Sequence, residues 1–582
     1  MSSMSGLYVG VSGLTSNQAS LNTTAHNLAN VDTKGYVRQQ IVISDIRYNN
    51  LGVTHFNTLQ KGLGSSIMSV RQVREAFLDQ AYRREIGRQA FYDAQAESVK
   101  EIEDLFGELE GVAFQKSLEE FWTALQEVSK EPGNIATRSS VISTGVSFIE
   151  RAEKITKQLD SYQINLNNKI TQYVHEVNKV AGQIKELNIK IRRYESSGVE
   201  NANDLRDERN NLLDDLGKIV NITYVERANG IVEVSVEGMQ LVTEDYVYKM
   251  GTAKMSEDSP MLIPTWIENG HIGVYNLENL PKSSLNTDIG ALQGLLYARG
   301  NKVAKYTDIP VKENYIDEHG VFEKKRFESD VMEYNKTIEA SIVTSTRAKF
   351  DQLIHGIVTM VNDVLSPNKE VELVDGSKIF ILDRENAPIG MDDNASQGEA
   401  LFNRKSMDRY REETITIVNE QGDEETFVAM IYNEENVDDN YSLFTIGEIE
   451  INPKIMNNNS KLPLSSNTET GEYDIKVAEE LIKRWQEPFA TLSPNTLTRN
   501  TINEYYISFI SDIANKGQQF IKKSENQSVM VNDLDNQRMG VTGVSSDEEL
   551  TALIKYQHGY NASARYVNVV SEMLEHIIMR LA

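Results

Sequence analysis

The first 31 residues, MSSMSGLYVGVSGLTSNQASLNTTAHNLANV, decide the fold that we predict for this chain. They contain no Asp, Glu, Lys or Arg, although 25% of the whole sequence is charged. Leucines recur every seven residues and alternate with Val11, Gln18 and Ala25, which is the 4-3 spacing of a heptad helix. The leucines are Leu7, Leu14, Leu21 and Leu28. Most other positions are Ser, Thr, Asn or Gly, which are poor helix formers, so this helix should be marginal by itself.

Two interpretations of this uncharged helix remain open. One is a buried core helix of an ordinary globular domain. The other is a helix that other chains surround and that becomes ordered mainly on assembly. A solvated helix would normally carry Glu and Lys on its outer face, and their absence favours the second interpretation.

The last segment of the chain has a matching pattern. From residue 550 to the end, the positions at 3-4 spacing are mostly apolar. They are Leu550, Leu553, Gln557, Tyr560, Ala564, Val567, Ser571, Leu574, Ile578 and Leu581. Ser546 and Glu549 predict a capping box at the start of this helix. We therefore expect the two terminal helices to pack on each other as a coiled coil.

The apolar heptad positions of both terminal helices are the candidate assembly residues. They are Leu7, Val11, Leu14, Leu21, Leu28, Leu550, Leu553, Tyr560, Val567, Leu574, Ile578 and Leu581.

A helical block occupies the middle of the chain. Apolar residues at 4-3 spacing predict a helix from Val146 to Tyr194, about 70 Å long and therefore too long for one compact domain. Shorter amphipathic helices are predicted at 114–128 and 204–220, and a β-hairpin near 231–242. Helical periodicity also occurs at 289–299, 330–364 and 495–540. We expect these elements to form a helical rod.

From about residue 366 the pattern changes to short β-rich runs separated by Asn, Asp, Gly and Ser. Between Arg411 and Lys454 there are twelve acidic residues and no Lys or Arg. A solvated outer β domain is the simpler interpretation of this charge, and a site for calcium or another cation is the alternative.

The predicted fold class is a multidomain, mainly α protein with an inserted β-rich domain. Residues 1–60 and 540–582 form the predicted terminal coiled-coil domain. Residues 61–365 and 495–539 form the helical rod domain, and residues 366–494 form a variable, acidic, β-rich outer domain.

The composition excludes several classes of function. The absence of cysteine removes thiol catalysis, cysteine-ligated metals and disulfides. A net charge of −27 argues against a general binder of nucleic acid or of anionic membranes. We see neither a membrane-spanning stretch nor a Sec-type signal peptide, which indicates a cytoplasmic protein or one exported by another route.

We assign no catalytic, cofactor-binding or metal-binding residue. The eight histidines include neither an H-E-x-x-H motif nor a pair at i,i+4. The stretch KGLGSSI at 61–67 lacks the third glycine of a dinucleotide loop and is predicted to be a turn before a strand. The stretch GVSGL at 10–14 fails the G-x-S-x-G pattern because residue 14 is leucine. We expect a protein without enzymatic activity.

Both ends of the sequence carry a family resemblance. The stretch Gly6–Gln40, which ends in N-x-x-N-x-x-T-x-G-Y-x-R, resembles the N-terminal signature of bacterial flagellar rod, hook and hook-associated proteins. Residues 543–578 resemble their C-terminal signature. Within this family, residues 61–83 and 203–222 resemble the hook–filament junction members. Hook and rod proteins lack the long helical block at 90–220.

The resemblance implies an extracellular structural subunit that polymerises at the distal end of the flagellar hook. The terminal helices would lie in the tube core and the outer domain would face solvent. The implied partners are other copies of this chain, the hook protein, a second hook–filament junction protein and an export chaperone at the C-terminal helix. The implied route is unfolded export through the flagellar type III apparatus, with no nucleic-acid or membrane partner.

Two rival functions remain. One is another flagellar axial protein, such as a hook or distal-rod subunit, against which the long central helix argues. The other is an enzyme module carried on residues 366–494, which the absence of recognisable motifs disfavours.

Overall fold

The computed structural model describes residues 2–46, 49–53, 58–107, 114–196, 200–256, 259–277, 279–317, 319–418, 424–466 and 475–581. The helices in chain order are α1 Ser2–Ala29, α2 Ala76–Phe106, α3 Phe114–Lys130, α4 Ile135–Glu195, α5 Asn203–Ile219, α6 Ala291–Arg299, α7 Lys324–Tyr334, α8 Ile342–Leu365, α9 Pro453–Asn457, α10 Lys476–Gln486, α11 Ile502–Thr542 and α12 Ser546–Leu581.

The strands are short and form several small sheets. They are β1 Gln39–Asp45, β2 Asn49–Val53, β3 Thr58–Lys61, β4 Ser65–Gln72, β5 Ile222–Glu226, β6 Val232–Val236, β7 Met239–Val242, β8 Met250–Lys254, β9 Leu262–Trp266, β10 Ile272–Gly273, β11 Asn368–Glu372, β12 Lys378–Leu382, β13 Phe402–Arg404, β14 Tyr410–Val418, β15 Glu424–Tyr432 and β16 Ile449–Ile451.

All strand pairings between these elements are antiparallel. The sheet orders are β1-β4, β2-β3, β5-β6-β7, β10-β9-β8, β11-β12-β15-β14 and β13-β16. A bridge between Leu373 and Ile417 brings the two edges of the four-stranded sheet together. Ile381, Ile415, Ala429 and Ile431 are buried inside that sheet.

The central helix α4 is longer than the sequence pattern predicted. It begins at Ile135 rather than Val146, because Asn134 accepts a hydrogen bond of 2.8 Å from the backbone N–H of Ala136 and so caps the helix. At 1.5 Å per residue its 61 residues span about 90 Å. The predicted helices at 114–128 and 204–220 and the hairpin near 231–242 are confirmed as α3, α5 and β6–β7.

The main hydrophobic core lies between α4 and the helices around it, and aromatic side chains join them. Phe121 of α3 stacks on Phe148 of α4 with ring centroids 5.6 Å apart. Phe114 meets Phe350 of α8 edge to face at 4.9 Å. Because these rings are fully buried, they fix α3 and α8 against the long helix. We call α2–α6, α8, α10 and α11 the helical body.

Two features of the helical body differ from the expectation. The periodic stretch at 330–364 is not one helix, because a π-helical turn at Asn335–Glu339 and the cap residue Ser341 separate α7 from α8. The helix α10 was not predicted, since it lies within the β-rich region. It packs on α3 and α8, and its Trp485 stacks on Trp122 of α3 with ring centroids 5.1 Å apart.

The mainly α architecture with β insertions is confirmed. Residues 61–67 were predicted as a turn before a strand, and β4 does start at Ser65 after Gly64 with a positive φ. Residues 444–451, FTIGEIEI, lie in the region predicted to be β-rich and form a strand only at their end, as β16. Within the described ranges, none of the helices combines the length and the apolar character needed to span a bilayer.

Candidate functional site

The terminal helices α1 and α12 pack on each other in antiparallel orientation, and small residues form the contact. A Cβ atom added to Gly10 would lie 2.6 Å from Val567 Cγ2, and one added to Gly13 would lie 2.8 Å from Ser563 Oγ. The glycine hydrogens therefore let the two backbones approach more closely than side chains would allow.

The contact continues along α1 at the same spacing. A Cβ on Gly6 would lie 3.2 Å from the Tyr566 hydroxyl, and one on Gly559 of α12 would meet the amide of Asn17. Ser20 and Thr24 are buried further along the same face. The seven positions on this face of α1 are Gly6, Gly10, Gly13, Asn17, Ser20, Thr24 and Asn27.

A buried polar network lies at the far end of this contact. Asn27 Nδ2 donates a hydrogen bond of 3.1 Å to Glu549 Oε2, and Arg38 Nε pairs with Glu549 Oε1 at 2.7 Å. The Glu549 residue is only 2% exposed. The Asn27 amide also exchanges two hydrogen bonds of 3.0 Å with the backbone of Gln39, at the start of β1. Since each partner comes from a different element, the network fixes the register of α1, β1 and α12.

The predicted capping box at the start of α12 is wrong, because Glu549 belongs to this network. Glu549 does not cap the helix, because Arg38 and Asn27 bind both of its carboxylate oxygens. Ser545 is the cap instead, and its Oγ accepts a hydrogen bond of 3.5 Å from the backbone N–H of Glu548. The acidic residue at this position serves a tertiary contact rather than a local one.

Tyr36 closes the network from the loop after α1. Its hydroxyl donates a hydrogen bond of 2.8 Å to Asn27 Oδ1 and lies 2.9 Å from His26 Nδ1. Burial raises the pKa of Tyr36 well above its usual value, and the nearby carboxylates of Asp204, Asp207 and Glu549 raise it further. The phenol therefore stays protonated and acts as a donor.

A second face of α1 packs on the β1–β4 sheet. The Ser16 and Ser65 hydroxyls lie 3.0 Å apart, and Ser12 Oγ accepts a hydrogen bond of 3.2 Å from the backbone N–H of Ser65. We call α1, β1, β4 and α12 the terminal unit.

None of the predicted assembly residues that the structure describes is fully buried. Val11, Leu550 and Ile578 are exposed, with 48%, 47% and 64% of their surface in solvent. Eight are partly buried: Leu7, Leu14, Leu21, Leu28, Leu553, Tyr560, Val567 and Leu574. The side chain of Leu581 lies outside the described residues. Of the predicted set, Val567 contacts α1 at Gly10.

The predicted apolar stripe and the observed contact are therefore neighbouring stripes of α1. The glycine-bearing positions precede the leucine positions by one residue, which is a rotation of about 100° around the helix. The stripe that meets α12 was not predicted, because it is made of Gly, Ser, Thr and Asn rather than apolar residues. The signal that could have found it is Gly6, Gly10 and Gly13 at heptad spacing, followed by polar residues at the same spacing.

Among the described residues, no group of three or more His, Asp or Glu side chains is arranged to hold a metal ion. The terminal unit combines a register-fixing polar network with outward apolar side chains. These features suit a protein–protein contact.

Family models match three parts of the chain. Residues 7–36 match the model of the flagella basal body rod protein, and residues 536–580 match that of the flagellar basal body rod FlgEFG protein C-terminal region. Residues 99–380 match the helical domain of flagellar hook-associated protein FlgK. The first two matches cover α1 and α12, and together the three define a flagellar axial structural protein.

Individual relatives show which protein of this class the chain resembles. Flagellar hook-associated protein 1 of Bacillus subtilis (strain 168) is 24% identical over 99% of this chain and 98% of its own length. That of Escherichia coli (strain K12) is 22% identical over 98% of both chains. The solved flagellar hook junction protein FlgK of Burkholderia pseudomallei aligns over 80% of this chain and all of its own, with 13% identity and a TM-score of 0.46. Over almost its whole length the chain is therefore similar to flagellar hook-associated protein 1.

Proposed function

We propose that this chain assembles at the distal end of the flagellar hook, through its two terminal helices, to form the hook–filament junction. The observation that carries this proposal is the position of the apolar stripes beside the α1–α12 contact. Val11, Leu550 and Ile578 remain exposed although their helices are paired. Neighbouring subunits would bury these side chains. Each Å² of apolar surface removed from water would stabilise the assembly by about 25 cal/mol.

The coiled-coil arrangement of α1 and α12 and the three-domain division of the chain are parts of this proposal. The antiparallel contact and the heptad spacing of both helices support the coiled coil. The helix break at residues 543–545, between α11 and α12, supports a boundary near residue 540. The twelve candidate assembly residues are proposed to face sibling subunits. The outer domain at 366–494, apart from α10 and the other parts of it that pack on the helical body, is proposed to face solvent.

The proposed partners are other copies of this chain, the hook protein and a second hook–filament junction protein. An export chaperone is proposed to bind the C-terminal helix, whose exposed apolar residues include Met573, Ile577 and Met579. Such a partner would cover these side chains before assembly.

We further propose export through the flagellar type III apparatus to the cell exterior, and a structural role without enzymatic activity. The homologues named above are flagellar structural proteins, which supports the second point. The uncharged, Gly- and Ser-rich α1 has little intrinsic helix stability, which suits a segment that is exported unfolded.

Purified full-length chain added to isolated hooks tests this function. Val11→Asp and Ile578→Asp each place a charge on an apolar stripe at an exposed side chain, outside the line of small residues through which α1 meets α12. We expect each variant to keep the parent's circular dichroism spectrum and to lose at least about tenfold in hook binding, since burying one unpaired charge costs several kcal/mol. Bound protein is counted by electron microscopy.

The matched control is Ile164→Asp on α4, an exposed apolar residue outside the terminal unit. We expect it to bind hooks like the parent. Normal hook binding by both terminal variants would refute the proposed role of the stripes, and equal loss in the control would show that the effect is unspecific.

A further inference from the structure

The sequence contains two Asn-Gly pairs, and both lie in turns between antiparallel strands. Asn229 and Gly230 lie between β5 and β6, and Asn269 and Gly270 lie between β9 and β10. At such a pair the backbone nitrogen of glycine can attack the preceding side chain, because glycine has no Cβ that obstructs the approach. Since both pairs share this local chemistry, a difference between them must come from the fold.

The turn at Asn269 and Gly270 leaves the reacting groups free. Among the described residues, neither the Asn269 side-chain amide nor the Gly270 backbone N–H has a hydrogen-bond partner. Gly270 is exposed, and no atom would lie within 4 Å of a Cβ added to it. Hydroxide can therefore reach the Gly270 nitrogen, and the Asn269 side chain can rotate towards that nitrogen.

Hydrogen bonds on either side hold this turn without involving the reacting groups. The backbone N–H of His271 donates to the Trp266 carbonyl at 3.0 Å. The Glu268 carboxylate accepts from the backbone N–H of Lys249 at 3.1 Å. The turn therefore keeps its place in the sheet while its tip stays unbonded.

The turn at Asn229 and Gly230 is held by its own hydrogen bonds. Asn229 Oδ1 accepts one of 3.2 Å from the backbone N–H of Ile231, and the Gly230 N–H donates one of 3.0 Å to the Arg227 carbonyl. Gly230 is buried, and Arg209 Nη1 donates to its carbonyl at 2.6 Å. The nitrogen that would attack is therefore both occupied and shielded from hydroxide.

Exposure of the side chains would rank the two pairs in the opposite order. Asn229 is exposed, whereas Asn269 is half-buried. The glycine nitrogen decides the rate, because the reaction begins when this nitrogen loses its proton. Only the tertiary structure shows that Gly270 is open and that Gly230 is not.

We propose that Asn269 is a site of spontaneous deamidation in the folded chain, with water as the co-reactant, and that the fold protects Asn229. Hydroxide removes the proton of the Gly270 N–H, and the nitrogen attacks Asn269 Cγ. As the new N–Cγ bond forms, the Cγ–Nδ2 bond breaks, and the leaving nitrogen takes a proton from water and departs as ammonia. Water then opens the succinimide ring at either carbonyl, which gives aspartate or isoaspartate.

Both products carry a carboxylate where the parent has a neutral amide. Conversion is therefore visible as an acidic charge variant of the whole chain, and peptide mapping by mass spectrometry assigns it to a residue. The inference concerns the folded chain and does not depend on assembly at the hook.

Incubation of the native full-length chain in mildly alkaline buffer tests this inference. We expect Asn269 to be converted at least about tenfold faster than Asn229. A tenfold difference corresponds to about 1.4 kcal/mol, which is what breaking one or two hydrogen bonds at Asn229 would cost. Asn269→Gln should suppress the acidic variant, because its longer side chain would have to close a six-membered ring. The matched control Asn229→Gln should keep it.

The chain unfolded in urea separates the effect of the fold from that of the sequence. There the two Asn-Gly pairs should be converted at similar rates, because neither turn is formed. Equal rates at both sites in the folded chain would overturn the inference, as would an intact Asn269 in the folded chain under conditions that convert it in urea. Hook binding is not part of this measurement, so failure here and failure of the assembly proposal remain distinguishable.

Discussion

Asn27 in the first helix and Glu549 in the last helix, 522 positions apart in sequence, share a hydrogen bond of 3.1 Å. Arg38 binds the second oxygen of the same carboxylate at 2.7 Å. Because this pair sits at one end of a contact made of small residues, it selects one register among several that glycine and serine would tolerate.

Glu549→Ala should loosen the terminal unit. It leaves one of the two amide N–H groups of Asn27 unpaired and removes the carboxylate closest to Arg38, which costs about 2 kcal/mol for a buried group. We expect faster hydrogen exchange of α1 backbone amides in the full chain, measured by mass spectrometry. The neighbouring Glu548→Ala is the control, since Glu548 is exposed and should contribute little. Unchanged exchange in Glu549→Ala would mean that the network does not set the register.

Gly10→Ala should separate α1 from α12. The added methyl group would lie 2.6 Å from Val567 Cγ2, closer than van der Waals contact allows. Overpacking costs about 1–3 kcal/mol and outweighs the gain of up to about 1 kcal/mol in helix propensity. The measurement is again hydrogen exchange in α1.

Gly182→Ala on α4 is the matched control for that substitution, because no atom lies within 4 Å of the added methyl group. It should stabilise α4 by about 0.5–1 kcal/mol. If both alanine variants gain stability, close approach at Gly10 does not matter.

Glu339 should make the helical body sensitive to strong acid. Burial works to raise its pKa, but the ammonium groups of Lys516 and Lys349 outweigh burial and lower the pKa to about 2. Because the folded pKa lies below the unfolded value of 4.5, the stability contribution of about 3 kcal/mol is complete above pH 4.5 and is lost between 4.5 and 2.

Urea unfolding from pH 5 to pH 2.5 measures this loss. Glu339→Gln should be less stable than the parent at pH 5 and should lose less stability on acidification. Glu333→Gln, an exposed residue on α7, should follow the parent curve. Parallel curves for all three proteins would contradict the role of the Lys516–Glu339–Lys349 group.

Asp351→Ala should detach the loop after β15 from α8. The Asp351 carboxylate accepts hydrogen bonds of 2.8 Å from the backbone N–H of Ile446 and 3.0 Å from that of Tyr306. Leaving two buried donors unpaired costs about 1–3 kcal/mol each. Limited proteolysis should then cleave within residues 433–446. Asp438→Ala, exposed in the same loop, should stay resistant.

Much of this fold could be predicted because its signals are local. The 4-3 spacing that predicted a helix at 146–194 is present in α4, where Phe148, Ile155 and Leu159 are buried at those positions. The extension to Ile135 was missed because the early turns carry Ser, Thr and Arg, and Asn134 starts the helix through its cap. The helix α10 was missed because its neighbours in sequence are strands, whereas its Trp485 packs on a distant helix.

The pairing of the terminal helices was also predictable, because apolar periodicity is a local signal. Apolar periodicity marked both terminal helices and predicted that they pack on each other, which is confirmed. It did not identify the residues in contact, because two helices that approach closely use glycine and serine rather than leucine. The role of Glu549 was assigned to a local cap, since its partners Asn27 and Arg38 lie more than 500 positions away.

The sequence by itself determined that both ends are heptad helices and that the middle is a long helical body with a β-rich insertion, and the resemblance of both ends to a known family indicated a flagellar axial protein. Periodicity, charge distribution and motif spacing are properties of neighbouring residues, so a single chain displays them. The tertiary structure alone decided which stripe of α1 meets α12 and where Glu549 binds. Those contacts depend on how closely distant backbones approach, and no local pattern encodes that distance.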